Sequence, residues 1–239
     1  MQRICDYTVF DMEMTGLSPK TERVIEIGAV RIRNGQETAC FSCLVDPGRE
    51  VPERITALTG ITTEMARAGM AQDEAMQAFL DFLGEDPAVG QNIRFDYSFL
   101  AQWCINKKKS ITLRACDTLK LARILLPSEQ SKKLEDLCLY FDVPRENAHR
   151  ALDDARETGV IFEHLQDMLE MREDGQTLLK PELLVYKAKR QTPATRQQIK
   201  RLEEYRRRYS ITETIDWQSL TRNEASRIHD RYIMTYGRL

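Results

Sequence analysis

Residues 24–45, VIEIGAVRIRNGQETACFSCLV, leave the chain little local choice. β-Branched runs flank Asn34-Gly35, and that dipeptide suits a two-residue turn in which both positions take positive φ. The stretch predicts a β-hairpin. Just before it, YTVFDME (7–13) reads as another strand. Three successive strands therefore open the chain, and an antiparallel arrangement is expected.

Past the hairpin the period changes. ITALTGITTEMARAG (55–69) is a connection punctuated by Thr and Gly, and then Met76, Phe79, Leu80 and Leu83 recur at helical spacing. PAVGQN (87–92) predicts a short strand leaving at Gly90. Helices are expected over 94–106, over 115–127 up to Pro127, over 131–144 up to Pro144, and over 147–171. The last carries Ala151, Ala155, Phe162, Leu165 and Leu169 on one side. Three meandering strands followed by helix–strand–helix units point to an α/β fold, a mixed sheet with helices on its faces.

No apolar run approaches the roughly 20 residues that cross a bilayer, and the N-terminus has no apolar signal-peptide core. No membrane partner and a cytoplasmic location are expected. Six cysteines then read as reduced thiols. Cys40 and Cys43 make half of a zinc knuckle, but on a strand they point to opposite faces, so no structural zinc is expected.

The character changes again near residue 173. Residues 180–239 hold 14 Lys/Arg against 7 Asp/Glu, although the whole chain has a formal charge of −2. Thr195-x-x-Gln198 and Thr221-x-x-Glu224 each have the form of a capping box. Behind them, Ile199, Leu202, Tyr205 and Tyr209, then Ala225, Ile228, Tyr232 and Tyr236, form two apolar helical stripes. The expected organisation is a first domain over 1–172, a linker over 173–193 and a basic helical module over 194–239. Arg206, Arg207 and Arg208, interleaved with tyrosines, suit phosphates and stacked bases of a single-stranded nucleic acid. The competing expectation is a docking module for a protein partner.

Asp11 and Glu13 end the first strand on one face, because residues i and i+2 point the same way. Two carboxylates that close repel, and burial would protonate one of them unless a cation intervenes. Hard oxygen ligands of this kind suit Mg²⁺ or Mn²⁺. An isolated D-x-E is more often an exposed strand end. Here two further acidic sites accompany it. Asp96 opens a helix among Phe95, Phe99 and Leu100, and His149 precedes Asp154 by five residues, so that both can face one centre.

These segments resemble the DnaQ-like 3′–5′ exonucleases of the DEDDh group, which include proofreading subunits and domains of bacterial DNA polymerases. The first family motif, D-x-E followed by T-G, is matched by Asp11, Glu13, Thr15 and Gly16. The second is matched by Asn92, Phe95, Asp96, Phe99 and Leu100, and the third by His149, Ala151, Asp154 and Ala155. The resemblance covers about residues 7–170. Two departures are Met14, where Thr is more usual, and Gln91, where many members have His.

The resemblance implies a ribonuclease H-like fold and two divalent cations. Asp11, Glu13 and Asp154 would hold one, Asp11 and Asp96 the other, and His149 would be the general base. The family spacing selects Asp154 over the adjacent Asp153. Met12, Met14, Thr15, Leu17, Asn92 and Phe95 are the candidates for contact with the terminal nucleotide. The implied activity is hydrolysis at single-stranded 3′ ends, DNA first, with a DNA polymerase or other replication protein as a partner for the C-terminal helices. Alternatives are an RNA-trimming exoribonuclease and a non-catalytic binding module of the same fold.

Overall fold

The computed structural model describes residues 2–145, 149–187, 193–213, 215, 217 and 220–238. It divides the chain into two compact units, Met1–Tyr186 and Lys187–Leu239. The first begins with the expected meander: β1 (Tyr7–Met14), β2 (Val24–Arg33) and β3 (Gln36–Asp46), each antiparallel to the next. Asn34 and Gly35 take φ of 51° and 74°, the left-handed pair that this turn demands.

The Thr-rich connection holds two short helices, α1 (Glu53–Thr59) and α2 (Thr63–Arg67), and a short strand β4 (Met70–Ala71). Then come α3 (Gln72–Leu83), β5 (Ala88–Gly90), α4 (Arg94–Asn106), β6 (Arg114–Asp117), α5 (Thr118–Leu125), α6 (Leu134–Tyr140), α7 (Ala151–Glu170), α8 (Gly175–Leu178) and β7 (Glu182–Leu183). The sheet runs β4-β3-β2-β1-β5-β6-β7, with β5 parallel to β1 and β6 parallel to β5.

Strand alternation sorts β1 between two cores. Phe10, Met12 and Met14 join Met76, Phe79 and Leu100 on one face. Tyr7 and Val9 join Val30, Phe162 and Leu165 of α7 on the other. Asp11 and Glu13 share the parity of Tyr7 and Val9, so they face α7.

Two expectations are corrected here. Residues 115–117, read as the start of a helix, form β6 instead, paired with β5 through Val89 and Cys116. Asp117 ends that strand and its carboxylate caps α5 by accepting from Leu119 N and Lys120 N. Local spacing hid the strand because it is only four residues long and runs directly into the helix. Residues 173–186, read as linker, belong to the first unit: β7 pairs with β6, Leu179 is fully buried in one core and Leu184 is buried in the other.

Cys40 is exposed, Cys43 packs against the core from the other face of β3, and all six cysteines are free. Among the described residues no helix is long and apolar enough to cross a membrane.

The second unit contains α9 (Arg196–Tyr209) and α10 (Arg222–Tyr236), and both capping boxes form. Its core joins Leu202, Tyr205, Leu220, Ala225 and Tyr232. Two of its tyrosines are therefore spent on packing. Tyr205 and Tyr232 are buried, Tyr209 stacks on Tyr236 at 4.7 Å, and Tyr186 belongs to the first unit, where its hydroxyl donates to Gln102. Tyr236 remains 38% exposed and Tyr209 is half-buried beside it. Arg206 is engaged as well, lying over Trp217 and donating to the Ile211 carbonyl, while Arg207 and Arg208 are exposed.

A chain ending at Tyr186 should keep the stability of the first unit. One ending at Arg172 should unfold at clearly lower urea, because losing buried leucines costs about 2–5 kcal/mol each. Equal urea midpoints for the two would show that residues 173–186 add nothing.

Candidate active site

Asp11 and Glu13 lie where β1 runs out toward the start of α7. Across the β1–β2 pair, Asp11 faces Gly28 and Glu13 faces Glu26. β5 runs parallel to β1, so the chain leaving Gly90 delivers the first turn of α4 to the same end of the sheet. There Asp96, buried, accepts from the Met12 amide at 3.2 Å. Asp154, also buried, comes from the first turn of α7. Ligand atoms of Glu13, His149 and Asp154 lie within 4.8 Å of one another. His149 takes φ of 61°, a conformation uncommon outside glycine. Asp153 is half-buried and lies 4.0 Å from Arg156.

The electrostatics follow from crowding. Burial first, then the charges of Asp96, Glu13 and Asp154, holds the Asp11 carboxyl well above the usual carboxylate range. Glu13 is pushed up to about 8, again by burial and then by Asp154 and Glu26. Asp96 is raised mainly by burial, and Asp154 is raised by burial although Arg145 opposes it. Four carboxylates that cannot all ionise together fit a divalent cation: they are hard oxygen donors, and positive charge among them would restore their ionisation.

Two residues outside the expected set complete the surroundings. Arg145 donates to Asp154 at 2.7 Å and lies 3.0 Å from Glu157, whose carboxyl burial pushes up to about 7. Glu26, 1% exposed, accepts from Arg150 and from the Ala151 amide. Glu26 had a readable signal, a charge in the middle of the apolar run VIEIGAV. Arg145 had none, because only the tertiary fold brings it to Asp154.

The nucleotide-contact candidates divide. Met12 and Met14 are corrected: both are buried in the α3/α4 core, on the face of β1 opposite Asp11 and Glu13. Thr15 is fully buried and its hydroxyl donates to Glu22, so it braces the loop. Leu17 is 84% exposed, Asn92 is exposed and Phe95 is half-buried against Phe99.

A model of an exonuclease family matches residues 8–162. The chain belongs to this exonuclease family. It is 38% identical over 157 residues to the PolC-type DNA polymerase III of Clostridium perfringens, a match covering 66% of this chain and 11% of that polymerase. It is 37% identical over 158 residues to the DNA polymerase III subunit epsilon of Aquifex aeolicus, covering 65% of this chain and 78% of that subunit. Among solved structures, exonuclease X in complex with 5′ overhanging duplex DNA aligns with a TM-score of 0.56 at 23% identity, over 67% of this chain and 91% of that one. The nuclease domain of 3′hExo, a DEDDh family member bound to rAMP, aligns at 0.59 and 19%, over 68% and 92%. At such identities the likeness is one of fold, and it agrees with the ribonuclease H-like expectation. The exonuclease match ends before the second unit.

The raised carboxyls set a sign for pH. Without a cation, the folded protein keeps a proton on Glu13 up to about pH 8, whereas an ordinary glutamate loses it near 4.5. The folded state therefore binds more protons in that window, and its stability falls as pH rises from about 5 to 8. Asp11→Asn removes a carboxyl whose ionisation the folded state opposes. It should raise the melting temperature of cation-free protein at pH 8, with a smaller rise at pH 5. An unchanged or lowered melting temperature at pH 8 would contradict the charge-crowding account.

Proposed function

We propose that the unit Met1–Tyr186 is a divalent-cation-dependent 3′–5′ exonuclease acting on single-stranded 3′ ends, with DNA as the substrate. The observation that carries this reading is the convergence of Asp11, Glu13, Asp96 and Asp154 with His149 in a chain of the exonuclease family. The polymerase III relatives favour DNA and a proofreading or repair setting.

Asp11, Glu13 and Asp154 would hold one cation and Asp11 with Asp96 a second, Mg²⁺ or Mn²⁺ by the hardness of the oxygens. When bound, the pair supplies positive charge at the scissile phosphate and at the leaving 3′ oxygen. His149 takes the proton of the attacking water on an imidazole nitrogen. Its backbone amide favours the ionised form of Asp154, which ties the base to a cation ligand. Asp96, through the Met12 amide, fixes the main chain of β1 beside the reacting group. Leu17, Asn92 and Phe95 are the remaining side chains to meet the terminal nucleotide.

The second unit is read as an electrostatic hold on the phosphate backbone, through its basic excess and exposed residues such as Arg207 and Arg208. The rival reading is docking to a DNA polymerase or other replication protein.

Incubation with 5′-labelled single-stranded DNA and RNA of one sequence tests the activity. With Mg²⁺ or Mn²⁺ the DNA should shorten stepwise from its 3′ end, and excess chelator should stop it. Asp154→Ala should abolish cleavage and Asp153→Ala should spare it, while His149→Ala should cost on the order of 10²–10⁴ in rate. Cleavage that survives chelator or Asp154→Ala refutes the mechanism, and preference for RNA refutes the substrate. For the second unit, a chain ending at Tyr186 should bind long single strands more weakly, with a shallower salt dependence, because fewer counterions are released. Identical salt slopes would favour protein docking.

A further inference from the structure

Helix α7 lacks a capping side chain of its own. Its N-cap position is Arg150, which cannot accept a hydrogen bond, and no side-chain cap bond forms there. The first amide of the helix is satisfied from another element: Glu26 on β2 accepts from Ala151 N at 2.9 Å. The same carboxylate receives Arg150 Nε at 3.0 Å and its Nη2 at 2.7 Å. Gly28, two residues along the same face of β2, lets the helix approach. A Cβ there would lie 2.1 Å from Leu152 N and 2.2 Å from the Ala151 carbonyl carbon. His149, immediately before this anchored pair, is held at φ 61°.

We propose that Glu26 is a positioning residue that sets the imidazole of His149, by clamping Arg150 and Ala151 from the neighbouring strand. A non-glycine residue in the left-handed region costs free energy and persists only where its surroundings over-determine it. Glu26 and Gly28 supply that constraint by fixing the two residues that follow His149 at the start of α7. The inference rests on the proposed role of His149 as base, so the test has one arm that needs no activity.

In protein without cations, Glu26→Ala should speed amide hydrogen exchange at least tenfold at the start of α7, around Ala151, with the distal half of α7 unchanged. With Mn²⁺ and labelled DNA, Glu26→Ala should lower kcat on the order of 10²-fold and move KM by less than about threefold. Glu26→Gln keeps an acceptor for the Ala151 amide and should recover part of that loss. In a His149→Ala background, Glu26→Gln should change kcat by less than about threefold, since both act through one group. Additive losses in that cycle, or unchanged exchange at the start of α7, would overturn the proposal. If Glu26→Ala does not fold, the exchange arm is read on Glu26→Gln and Arg150→Ala, where unchanged exchange in both would overturn it. An inactive wild type would sink the nuclease reading and leave the exchange result standing.

Discussion

Asp11 and Glu13 share a face of β1 with Glu26 across the strand pair, while Asp96 and Asp154 close in from two helices. This concentration of negative charge is the constraint on which the rest of the nuclease unit depends. Ordinary folding would disperse it, since like charges in a poorly hydrated space oppose one another and raise each other's proton affinity. The chain instead builds two antiparallel strands, a parallel neighbour and two helices whose ends meet at that point.

The fold treats the acids around this point in different ways. Glu26 is neutralised internally, by Arg150 and the first amide of α7. Asp154 and Glu157 share Arg145. Asp11, Glu13 and Asp96 have no side-chain cation among the described residues, and their carboxyls are the ones pushed furthest up. Glu26 and Glu157 are thus paired within the protein, Asp154 shares Arg145 while also lying beside Glu13 and His149, and the unpaired acids keep capacity for a cation from outside. That division of labour separates a binding site from a mere acidic patch.

Close packing makes the arrangement rigid. Alternation sends Phe10, Met12 and Met14 into one core and Tyr7 and Val9 into the other, so β1 is gripped on both faces. The residues between the acids are therefore buried packing groups, which is why Met12 and Met14 are lost as nucleotide contacts. The same logic extends to residues 173–186, whose leucines enter both cores and bind the last short strand to the nuclease unit.

Short-range patterns carried much of this outline. The Asn34-Gly35 hairpin, the period-2 alternation of β1, the helical stripe of α7 and both capping boxes are local, because turn dihedrals and helix caps are decided within a few residues. The spacing of Asp11, Glu13, Asp96, His149 and Asp154 was legible for another reason, since it matches a family pattern of residue types in order. The identity of β6 was not legible, as four residues become a strand only through pairing with β5. Nor were the Glu26 clamp on α7, the Arg145 bridge, or the packing that buries Tyr205 and Tyr232. By itself the sequence supplied the candidate residues for the chemistry and most, not all, of the segments that are strand or helix. The tertiary structure alone decided which acids are paired, which side chains reach solvent and what holds His149, because those depend on contacts between residues far apart in the chain, 125 positions for Glu26 and Ala151 and 167 for Arg3 and Glu170.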